Sequence, residues 1–386
     1  MKSVYPISYH IPVPPSSGMA FDFPGLKSHV FNDILNIDID TITGKSKLLG
    51  CGTFGAVFKG ELRQTGKLNV SVAVKVHHPG YVPEKHVVDE YIFLRMLGGK
   101  CNVIQLLTHI YDAEKKIIHF VFPFFEETPF LSLVVDATED EIKAYMRALL
   151  TALAWLHLHN IMHKDVKYNN FLFNRVLKTG KLIDLGCARY MNELTEGCTR
   201  DPQKSGDYVS GPRLFHNTPS RPPSIALAAL LVQTPEFILP HKRHNGTKGF
   251  KSLENLIQSD LISSAVDIFA AGCILVLLLL RKKVFFIQDT PADGIMEFCK
   301  LYGAHEVVKV ALRLGKTITI KLNATSEIDM REISVAKEHK IFQQLQKNCG
   351  PNSFSQCAFS FLEILLALSP SQRKTAAVAL KHPFLI

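Results

Sequence analysis

Three features that would mark a zinc-binding, disulfide-rich or membrane protein are missing from this sequence. Its eight cysteines are scattered and form no C-x-x-C pair, which favours reduced thiols in an intracellular protein over a disulfide or zinc framework. The most apolar run, 270–280, is shorter than the roughly 20 residues that a membrane-spanning helix needs, so we interpret it as a buried core helix. Prolines interrupt the N-terminal segment, so we expect no signal peptide there. Together these absences predict a soluble intracellular protein.

Acidic residues are fewer than basic ones, 35 against 44, which gives a formal net charge of +9. This charge favours acidic partners, and nucleic acid, an anionic surface and an acidic protein substrate would all fit it. The composition, 47% apolar and 20% charged, is that of a folded globular protein. A chain of 386 residues can form two compact units or one bilobal domain.

The residues with the clearest chemistry lie in one segment, 163–186. This segment contains, in order, Asp165, Lys167, Asn170 and Asp184, and Leu-Gly follows Asp184 directly. Phosphoryl transfer from a metal–nucleotide requires a carboxylate that orients the attacking hydroxyl and accepts its proton. It also requires an amide and a second carboxylate, whose oxygens are ligands that Mg²⁺ prefers. The spacing of the four groups therefore predicts a phosphotransferase site.

This segment resembles the catalytic segment of the eukaryotic protein kinases. The resemblance implies that Asp165 is the catalytic base, that Lys167 steadies the transferred phosphate, and that the asparagine and the second aspartate bind Mg²⁺. A lysine at this position is typical of serine/threonine kinases. Leu185 replaces the phenylalanine of the family's D-F-G motif, and Lys164 replaces the arginine before the catalytic base. Lysine would receive an activation-loop phosphate only as a point charge, so control by loop phosphorylation is less expected here.

A glycine-rich segment with the pattern G-x-G-x-x-G precedes this site in the chain. Three glycines let the backbone N–H groups of a strand–turn–strand approach phosphates without interference from a Cβ atom. The same pattern opens dinucleotide-binding helices, but here an apparent strand follows it, which favours a loop over the phosphates of ATP. The candidate phosphate-binding residues are Leu49, Gly50, Cys51, Gly52, Thr53, Phe54, Gly55, Ala56 and Val57.

A lysine at the end of the next predicted strand completes the nucleotide site. Lys75 follows the alternating run Val-Ala-Val, and we expect it to bind the α- and β-phosphates. Such a lysine needs a carboxylate partner, and apolar residues at helical spacing predict a helix over 84–97 that could provide it. Glu90 is our choice for the partner, with Glu84 and Asp89 as alternatives.

The chain between the two sites has the pattern of a connection between lobes. Strands are predicted at 102–111 and 116–123, followed by a hinge at which the main chain of Phe124 would contact the adenine. A capping box begins at Thr138 and predicts a helix that runs to about His159 and leads into the catalytic segment.

Two further strings resemble the second half of a kinase domain. The string GTKGFKSLE at 246–254 resembles the family's G-T-x-G-[FY]-x-A-P-E, which ends the activation segment. A rival string at 234–236 lacks the preceding Gly-Thr, and we reject it. Asp267 matches the aspartate that pins the catalytic-loop backbone, and 368–384 match the end of the domain. Within that end, Arg373 is placed to pair with the glutamate of GTKGFKSLE.

The resemblance implies an α+β, bilobal protein-kinase fold, with a small β-rich N-lobe that carries one key helix and a larger, mainly helical C-lobe. Long stretches without secondary structure are unusual inside a domain, and we interpret two such stretches as inserts, the second of them irregular. The predicted divisions are an N-terminal extension over 1–42, a kinase domain over 43–386, an N-lobe over about 43–122, a C-lobe over about 127–386, and inserts over about 190–244 and 284–350.

Within the kinases, the sequence is most similar to the cell-division-cycle kinases that fire replication origins, the catalytic subunits of DDK. The two inserts carry this likeness, together with Gly98-Gly99 and the strings at 170–175 and 246–251. It implies ATP and Mg²⁺ as cofactors, a regulatory subunit that braces the helix carrying Glu90, acidic segments of replication proteins as substrates, and a nuclear location. Lys251 is the residue we expect beside an acidic or phosphorylated neighbour of the phosphoacceptor. We expect neither direct nucleic-acid binding nor a membrane partner.

Other interpretations remain open at this point. A casein-kinase-two-like kinase or another cell-cycle kinase would share most of these motifs. A pseudokinase scaffold would be favoured if one of the four catalytic groups were missing, but all four are present. A DNA-binding module would use the basic charge, yet the sequence has no motif of that class.

Overall fold

A five-stranded antiparallel sheet and one helix form the smaller of two lobes, and helices dominate the larger lobe. The computed structural model thus confirms the expected α+β fold class. It describes residues 47–52, 55–62, 70–77, 84–112, 117–191, 229–232, 246–321 and 354–386. The predicted extension over 1–42, Thr53, Phe54 and most of the insert over 190–244 lie outside the described residues.

The small lobe is built from strands β1 (Leu48–Gly52), β2 (Gly55–Leu62), β3 (Val70–His77), β4 (Thr108–Asp112) and β5 (Ile117–Pro123), with helix α1 (Glu84–Leu97) between β3 and β4. The strand order is β1-β2-β3-β5-β4, and every neighbouring pair is antiparallel. Helix α1 has the predicted bounds, and it buries Phe93, Leu94 and Leu97.

The strand predicted at 102–111 is wrong in its first half, because β4 begins only at Thr108. The preceding residues pair with the larger lobe instead: the N–H of Leu182 donates to the carbonyl of Asn102 at 2.7 Å, and the N–H of Ile104 donates to the carbonyl of Leu182 at 2.9 Å. A backbone whose hydrogen bonds are already made in this way is not available to extend the sheet.

The larger lobe contains helices α2 (Phe130–Asp136), α3 (Glu139–Leu158), α4 (Leu253–Leu256), α5 (Ala265–Leu280), α6 (Pro291–Tyr302), α7 (Ala304–Arg313), α8 (Gln356–Leu366) and α9 (Ala376–Ala379). Its short antiparallel pairs are β6 (Ile161–Met162) with β9 (Arg189–Tyr190), β7 (Phe171–Asn174) with β8 (Thr179–Leu182), and β10 (Ala229–Val232) with β11 (Ile318–Lys321). No helix of the described ranges is long and apolar enough to cross a bilayer.

Helix α3 begins at the predicted capping box. The N–H of Thr138 donates to Glu141 Oε2 at 2.8 Å, and the N–H of Glu141 donates to Thr138 Oγ1 at 3.3 Å. This reciprocal arrangement satisfies two N–H groups that have no partner within the helix. The helix reaches Leu158 with His159 as its C-cap, so it delivers the chain to the catalytic segment as expected.

Helix α5 is the predicted buried helix, and every residue from Val266 to Leu279 is buried. Gly272 allows α8 to approach it closely. A Cβ atom at this position would lie 2.7 Å from Leu366 Cδ2 and 3.1 Å from Leu365 Cβ, so any larger residue would require the side chain of Leu366 to move.

The expectation of irregular structure over 284–350 is wrong for residues 291–313, which form α6 and α7. Helix α6 begins with a second capping box between Thr290 and Asp293, and Pro291 occupies its first turn, where the missing N–H costs nothing. The strand that follows α7 pairs with β10, so the described parts of the two predicted inserts contact each other.

Candidate active site

Lys75 projects from β3 onto α1, where it meets the carboxylate we chose for it. Its Nζ lies 2.6 Å from Glu90 Oε1 and 2.8 Å from Glu90 Oε2. Lys75 is 7% exposed and Glu90 is 2% exposed. The alternative Asp89 points elsewhere, because its Oδ2 lies 3.7 Å from Nη1 of Arg189.

The same lysine joins the two lobes by contacting Asp184. Its Nζ lies 2.8 Å from Asp184 Oδ1. Burial lowers the pKa of Lys75, but the charges of Asp184 and Glu90 and their hydrogen bonds outweigh burial, so the pKa is raised. Burial raises the pKa of Asp184, but the charge and hydrogen bond of Lys75, together with the charges of His163 and Lys167, outweigh burial and lower the pKa to about 2. Both groups are therefore charged at neutral pH.

Asp184 reaches this position through an unusual backbone conformation, with φ 62° and ψ 75°. A left-handed conformation is uncommon for a residue that carries a Cβ atom and marks a site that the surrounding structure holds in place. His163 contributes by hydrogen bonding through Nε2 to the carbonyl of Ile183 at 3.1 Å.

The catalytic segment is anchored on α5 by Asp267. The carboxylate of Asp267 accepts the N–H of His163 at 2.9 Å and the N–H of Lys164 at 2.8 Å. It also contacts Nε2 of His157 at 2.9 Å, a partner that the sequence analysis missed. Burial raises the pKa of Asp267, but the hydrogen bond and charge of His157 lead the effects that outweigh burial and lower the pKa.

Asp165 lies at the centre of a hydrogen-bonded cluster. Lys167 Nζ donates to its Oδ2 at 2.7 Å, and Thr247 Oγ1 donates to its Oδ1 at 2.6 Å. Lys167 also donates to Thr247 Oγ1 at 3.0 Å. Burial raises the pKa of Asp165, and the charge of Lys167 with the hydrogen bonds from Lys167 and Thr247 outweighs it, so the pKa lies below its ordinary value. Thr247 was missed as a site residue, although its place in the string GTKGFKSLE was a usable signal.

Asn170 and Asp184 have the chemistry that Mg²⁺ requires. The amide nitrogen of Asn170 donates to the carbonyl of Asp165 at 2.8 Å and to Asp165 Oδ2 at 3.2 Å, so its oxygen is left for another partner. Asp184 uses Oδ1 for Lys75, and its side chain is 26% exposed. In the part of the chain described here, no group of three His, Cys, Asp or Glu residues could hold a metal ion. Two protein oxygens completed by phosphates and water are typical of Mg²⁺, so the residues present fit this ion.

The glycine-rich segment forms a hairpin in which β1 pairs with β2. Gly50 is opposite Val57, and Gly52 is opposite Gly55. Gly55 packs tightly on β3, because a Cβ atom there would lie 2.1 Å from the carbonyl oxygen of Val76. At the end of the hairpin Gly55 is opposite His77, and Val57 is opposite Lys75 on the same neighbouring strand.

At the hinge, the N–H of Phe124 is not available for the adenine contact that we predicted. The N–H of Phe124 donates to the carbonyl of Ser71 at 3.2 Å, so this donor is engaged within the protein. The N–H of the next residue, Phe125, finds no acceptor among the described residues. The ring of Phe124 instead lies 4.2 Å from Nζ of Lys59, in a cation–π contact.

The end of the activation segment is fixed by a fully buried ion pair. Arg373 Nη2 donates to Glu254 Oε2 at 2.9 Å, and Arg373 Nη1 bonds Glu254 Oε1, with both side chains at 0% exposure. The guanidinium also donates to the carbonyls of Ala367 and Leu368 at 2.7 and 2.8 Å. A buried pair is stabilising only when its remaining donors are satisfied, and Arg373 meets that condition.

Gln288, which the sequence analysis missed, holds the segment that contains Lys251. Its Oε1 accepts the N–H of Gly249 at 2.9 Å and the N–H of Lys251 at 3.1 Å, and its Nε2 donates to the carbonyl of Lys251 at 2.8 Å. Gln288 is 4% exposed. Burial and then the charge of Lys248 lower the pKa of Lys251, while the charge of Asp165 raises it, so Lys251 lies within electrostatic reach of the catalytic cluster.

Comparison with known proteins places these features in a family. The profile of the protein kinase domain matches residues 44–223 and 226–385. The chain is 31% identical over 340 residues to a protein of Encephalitozoon cuniculi named "Probable cell division control protein 7 homolog 1", covering 87% of this chain and 90% of the relative. It is 26% identical over 370 residues to the cell cycle protein kinase spo4 of Schizosaccharomyces pombe, covering 88% of this chain and 84% of spo4. It is also 26% identical over 372 residues to the cell cycle serine/threonine-protein kinase hsk1 of the same yeast, covering 87% of this chain and 71% of hsk1.

Proposed function

This chain belongs to the protein kinase family as a cell-cycle serine/threonine kinase of the Cdc7 and Hsk1 type, and we propose that it transfers the γ-phosphoryl group of ATP to hydroxyls that are followed by acidic residues. The observation that carries the proposal is the position of Lys75, whose Nζ contacts Glu90 and Asp184 at once. Lys75 and the Asp184 loop therefore face a single site, and β2, which follows the glycine-rich turn, pairs with the strand that carries Lys75. Groups that opened onto different cavities could not bind one triphosphate together.

In the proposed reaction the serine or threonine oxygen forms a bond to the γ-phosphorus while the bond to the β–γ bridging oxygen breaks, and ADP leaves. Asp165 orients the hydroxyl and receives its proton. Its Oδ1 already accepts a hydroxyl within the protein, that of Thr247 at 2.6 Å. Lys167, 2.7 Å from Oδ2, steadies the transferred group. Asp184 and Asn170 would hold Mg²⁺, which supplies charge neutralisation on the phosphates. Leu49 to Val57 cover the phosphates, and the free N–H of Phe125 becomes the adenine contact in place of that of Phe124.

Asp165→Asn tests the proposed base. The amide keeps the shape of the side chain but accepts no proton, so incorporation of label from ATP into a protein substrate should fall by about 1,000-fold. Binding of ADP, measured by calorimetry, should remain. Asp140→Asn is the matched control, because the Asp140 side chain is 77% exposed on α3. Turnover by Asp165→Asn within tenfold of wild type would remove Asp165 from this role.

Selection of acidic substrates is proposed for Lys251. Gln288 fixes both the N–H and the carbonyl of Lys251, so the base of this half-buried side chain cannot move freely. An ammonium group carried by this fixed backbone would favour a carboxylate or phosphate directly after the phosphoacceptor.

A peptide pair with Asp or Ala after the serine tests this selectivity. We expect the Asp peptide to be preferred by about fivefold, the effect of one partly exposed ion pair, and the preference to vanish in Lys251→Ala. Lys309→Ala is the control, since Lys309 is an exposed lysine on α7 that pairs with Glu306. Equal rates on both peptides in wild type would end the proposal of acidic selectivity.

We also propose an activating subunit that braces α1, replication proteins as substrates, and a nuclear location. Glu90 on α1 must remain against Lys75 for the site to be complete, and Ile92 on the same helix leaves an apolar side chain 38% exposed. Autophosphorylation with labelled ATP, run with and without candidate subunits, should rise when the correct subunit is added. Equal activity under all conditions would contradict the proposed subunit but leave the kinase activity standing.

A further inference from the structure

His77 is a buried titratable residue that the proposed reaction does not use. It ends β3 two residues after Lys75 and is 2% exposed. Its Nδ1 lies 2.6 Å from the carbonyl oxygen of Ile118 on β5, and its ring meets the ring of Phe120 edge to face at 4.8 Å. Its Nε2 lies 3.6 Å from Glu90 Oε2 and makes no hydrogen bond among the described residues.

The bond to Ile118 fixes which nitrogen carries a proton. A carbonyl oxygen only accepts, so Nδ1 must be the donor. In the neutral ring Nε2 would then direct a lone pair at the carboxylate of Glu90, which is also an acceptor. The doubly protonated ring instead presents an N–H to Glu90 Oε2, and closing the gap from 3.6 Å to an ordinary charge-assisted bond needs a movement of about 0.8 Å.

The number of N–H groups on Lys75 shows what an N–H on Nε2 of His77 would do. The ammonium group of Lys75 has three N–H groups, and three carboxylate oxygens surround it: Glu90 Oε1, Glu90 Oε2 and Asp184 Oδ1. To bind the α- and β-phosphates, Lys75 must give up two of these partners. Asp184 Oδ1 would pass to the Mg²⁺ that the proposed function assigns to Asp184. Of the two Glu90 oxygens, Oε2 faces His77, so it is the one that can be released without being left buried and unpaired.

We propose that His77 is a positioning residue for nucleotide binding: it takes over Glu90 Oε2 when Lys75 turns one N–H to the phosphates. The proposal rests on the proposed function, because it requires a nucleotide at Lys75. It assigns to His77 an effect on nucleotide affinity and not on the chemical step, since His77 acts through Glu90 and does not touch the reacting atoms.

Two substitutions separate this role from a purely structural one. His77→Asn places an amide nitrogen near the position of Nδ1, so it keeps a donor for Ile118 and loses the group that faces Glu90. His77→Gln places a neutral N–H donor near the position of Nε2. His159→Asn is the matched control, because the Nδ1 of His159 also bonds a backbone carbonyl, that of Trp155 at 2.8 Å, but in the larger lobe.

Calorimetry with ADP and Mg²⁺, steady-state kinetics with ATP and thermal melting without nucleotide are measured on the full chain. For His77→Asn we expect the Kd for ADP and the KM for ATP to rise about tenfold, as for the loss of one charge-assisted hydrogen bond, with kcat within about twofold of wild type. His77→Gln should recover at least half of the lost affinity on a logarithmic scale, and His159→Asn should match wild type. Any loss of folding in His77→Asn would appear as a lower Tm without nucleotide, and recovery in His77→Gln then decides the matter.

ADP binding by His77→Asn equal to that of wild type overturns the positioning role and leaves the kinase proposal intact. A fall in kcat with unchanged KM also overturns it, as does His77→Gln binding as weakly as His77→Asn. A wild-type chain that binds no ADP at all overturns the proposed function and this inference with it.

Discussion

The two halves of the candidate active site differ in what lies behind them. Behind the catalytic segment is α5, in which Val266 to Leu279 are all buried and most of the apolar side chains belong to the main core. The far face of the small-lobe sheet has a separate buried cluster of three residues, Val72, Val74 and Val121. The large-lobe half is therefore supported by far more apolar burial than the strand that carries Lys75.

The polar contacts differ in the same direction. The catalytic segment is bound by Asp267 through two backbone N–H groups, and the end of the activation segment by Arg373 through Glu254. The small-lobe half depends on the ion pair between Lys75 and Glu90, which joins the sheet to α1. This difference indicates that the catalytic segment, α5 and the end of the activation segment form a rigid support for the hydroxyl and its base, which we call the platform. The pair of Lys75 and Glu90 forms an adjustable contact for the nucleotide, which we call the clamp. Removing an anchor of the platform should cost stability, while changes in the clamp should alter activity more than stability.

Asp267→Ala should have the largest effect. It leaves the N–H groups of His163 and Lys164 buried without an acceptor, so the free energy of unfolding should fall by about 4 kcal/mol. Urea unfolding measures this change. Asp260→Ala is the control, because Asp260 makes an exposed pair with Lys316 at 3.5 Å and should cost less than about 1 kcal/mol. Similar losses in the two variants would mean that the platform is not anchored through Asp267.

Glu90→Gln breaks the clamp and spares the platform. Gln keeps the size of the side chain but removes the charge, so Lys75 turns to Asp184 and α1 loses its charged link to the sheet. We expect kcat/KM for ATP to fall about 100-fold, a free-energy change of about 2.7 kcal/mol. The neighbouring Asp89→Asn is the control and should stay within about threefold, since Asp89 pairs with Arg189 at a longer 3.7 Å.

If Glu90→Gln instead keeps more than a third of the wild-type kcat/KM, the clamp does not depend on this pair. If it lowers stability as much as Asp267→Ala, the contrast between the two halves is wrong.

Acid should weaken the contact between the two halves in a defined range. The pKa of Asp184 is lowered from 3.8 to about 2, so the unfolded chain binds this proton more readily than the folded one. The resulting stabilisation, about 2 kcal/mol, is complete well above pH 4 and is lost as pH falls through about 2. The difference in unfolding free energy between wild type and Asp184→Asn should therefore shrink to about half between pH 7 and pH 3. A difference that stays constant over this range would show that the charge of Asp184 contributes nothing to stability.

Residues whose chemistry depends on local spacing could be predicted from the sequence. Asp165, Lys167 and Asn170 lie within six residues, and one loop conformation brings them together, so their spacing alone predicts the site. The capping box at Thr138 also contains its own evidence, because both partners lie within one turn. The start of α6 had the same signal in Thr290, Pro291 and Asp293, and it could have been recognised.

Roles that depend on distant chain segments could be predicted where the resemblance to protein kinases supplied the partner, as for Arg373 with Glu254, and were missed elsewhere. Gln288 acts on Gly249 and Lys251, and nothing in its own neighbourhood in the sequence indicates those partners. His77 becomes notable only when α1 places Glu90 beside it. The missing first half of the strand at 102–111 has the same cause, since hydrogen bonds to Leu182 replace those of the sheet. The deciding contact is tertiary in each case, and in the strand at 102–111 it overrides local propensity.

Gln288→Leu should have the smallest effect and extends the comparison to the substrate side of the platform. Leucine fills the space of the buried amide but leaves the N–H groups of Gly249 and Lys251 without their acceptor, so this segment should loosen while Asp165 stays in place. We expect the KM for an acidic peptide to rise about fivefold, with the KM for ATP unchanged. Asp289→Asn is the control, because the neighbouring Asp289 side chain is 72% exposed and lies 3.6 Å from Lys248. Equal increases in both KM values would indicate that the catalytic segment has moved as well, and the platform would then be less rigid than its burial suggests.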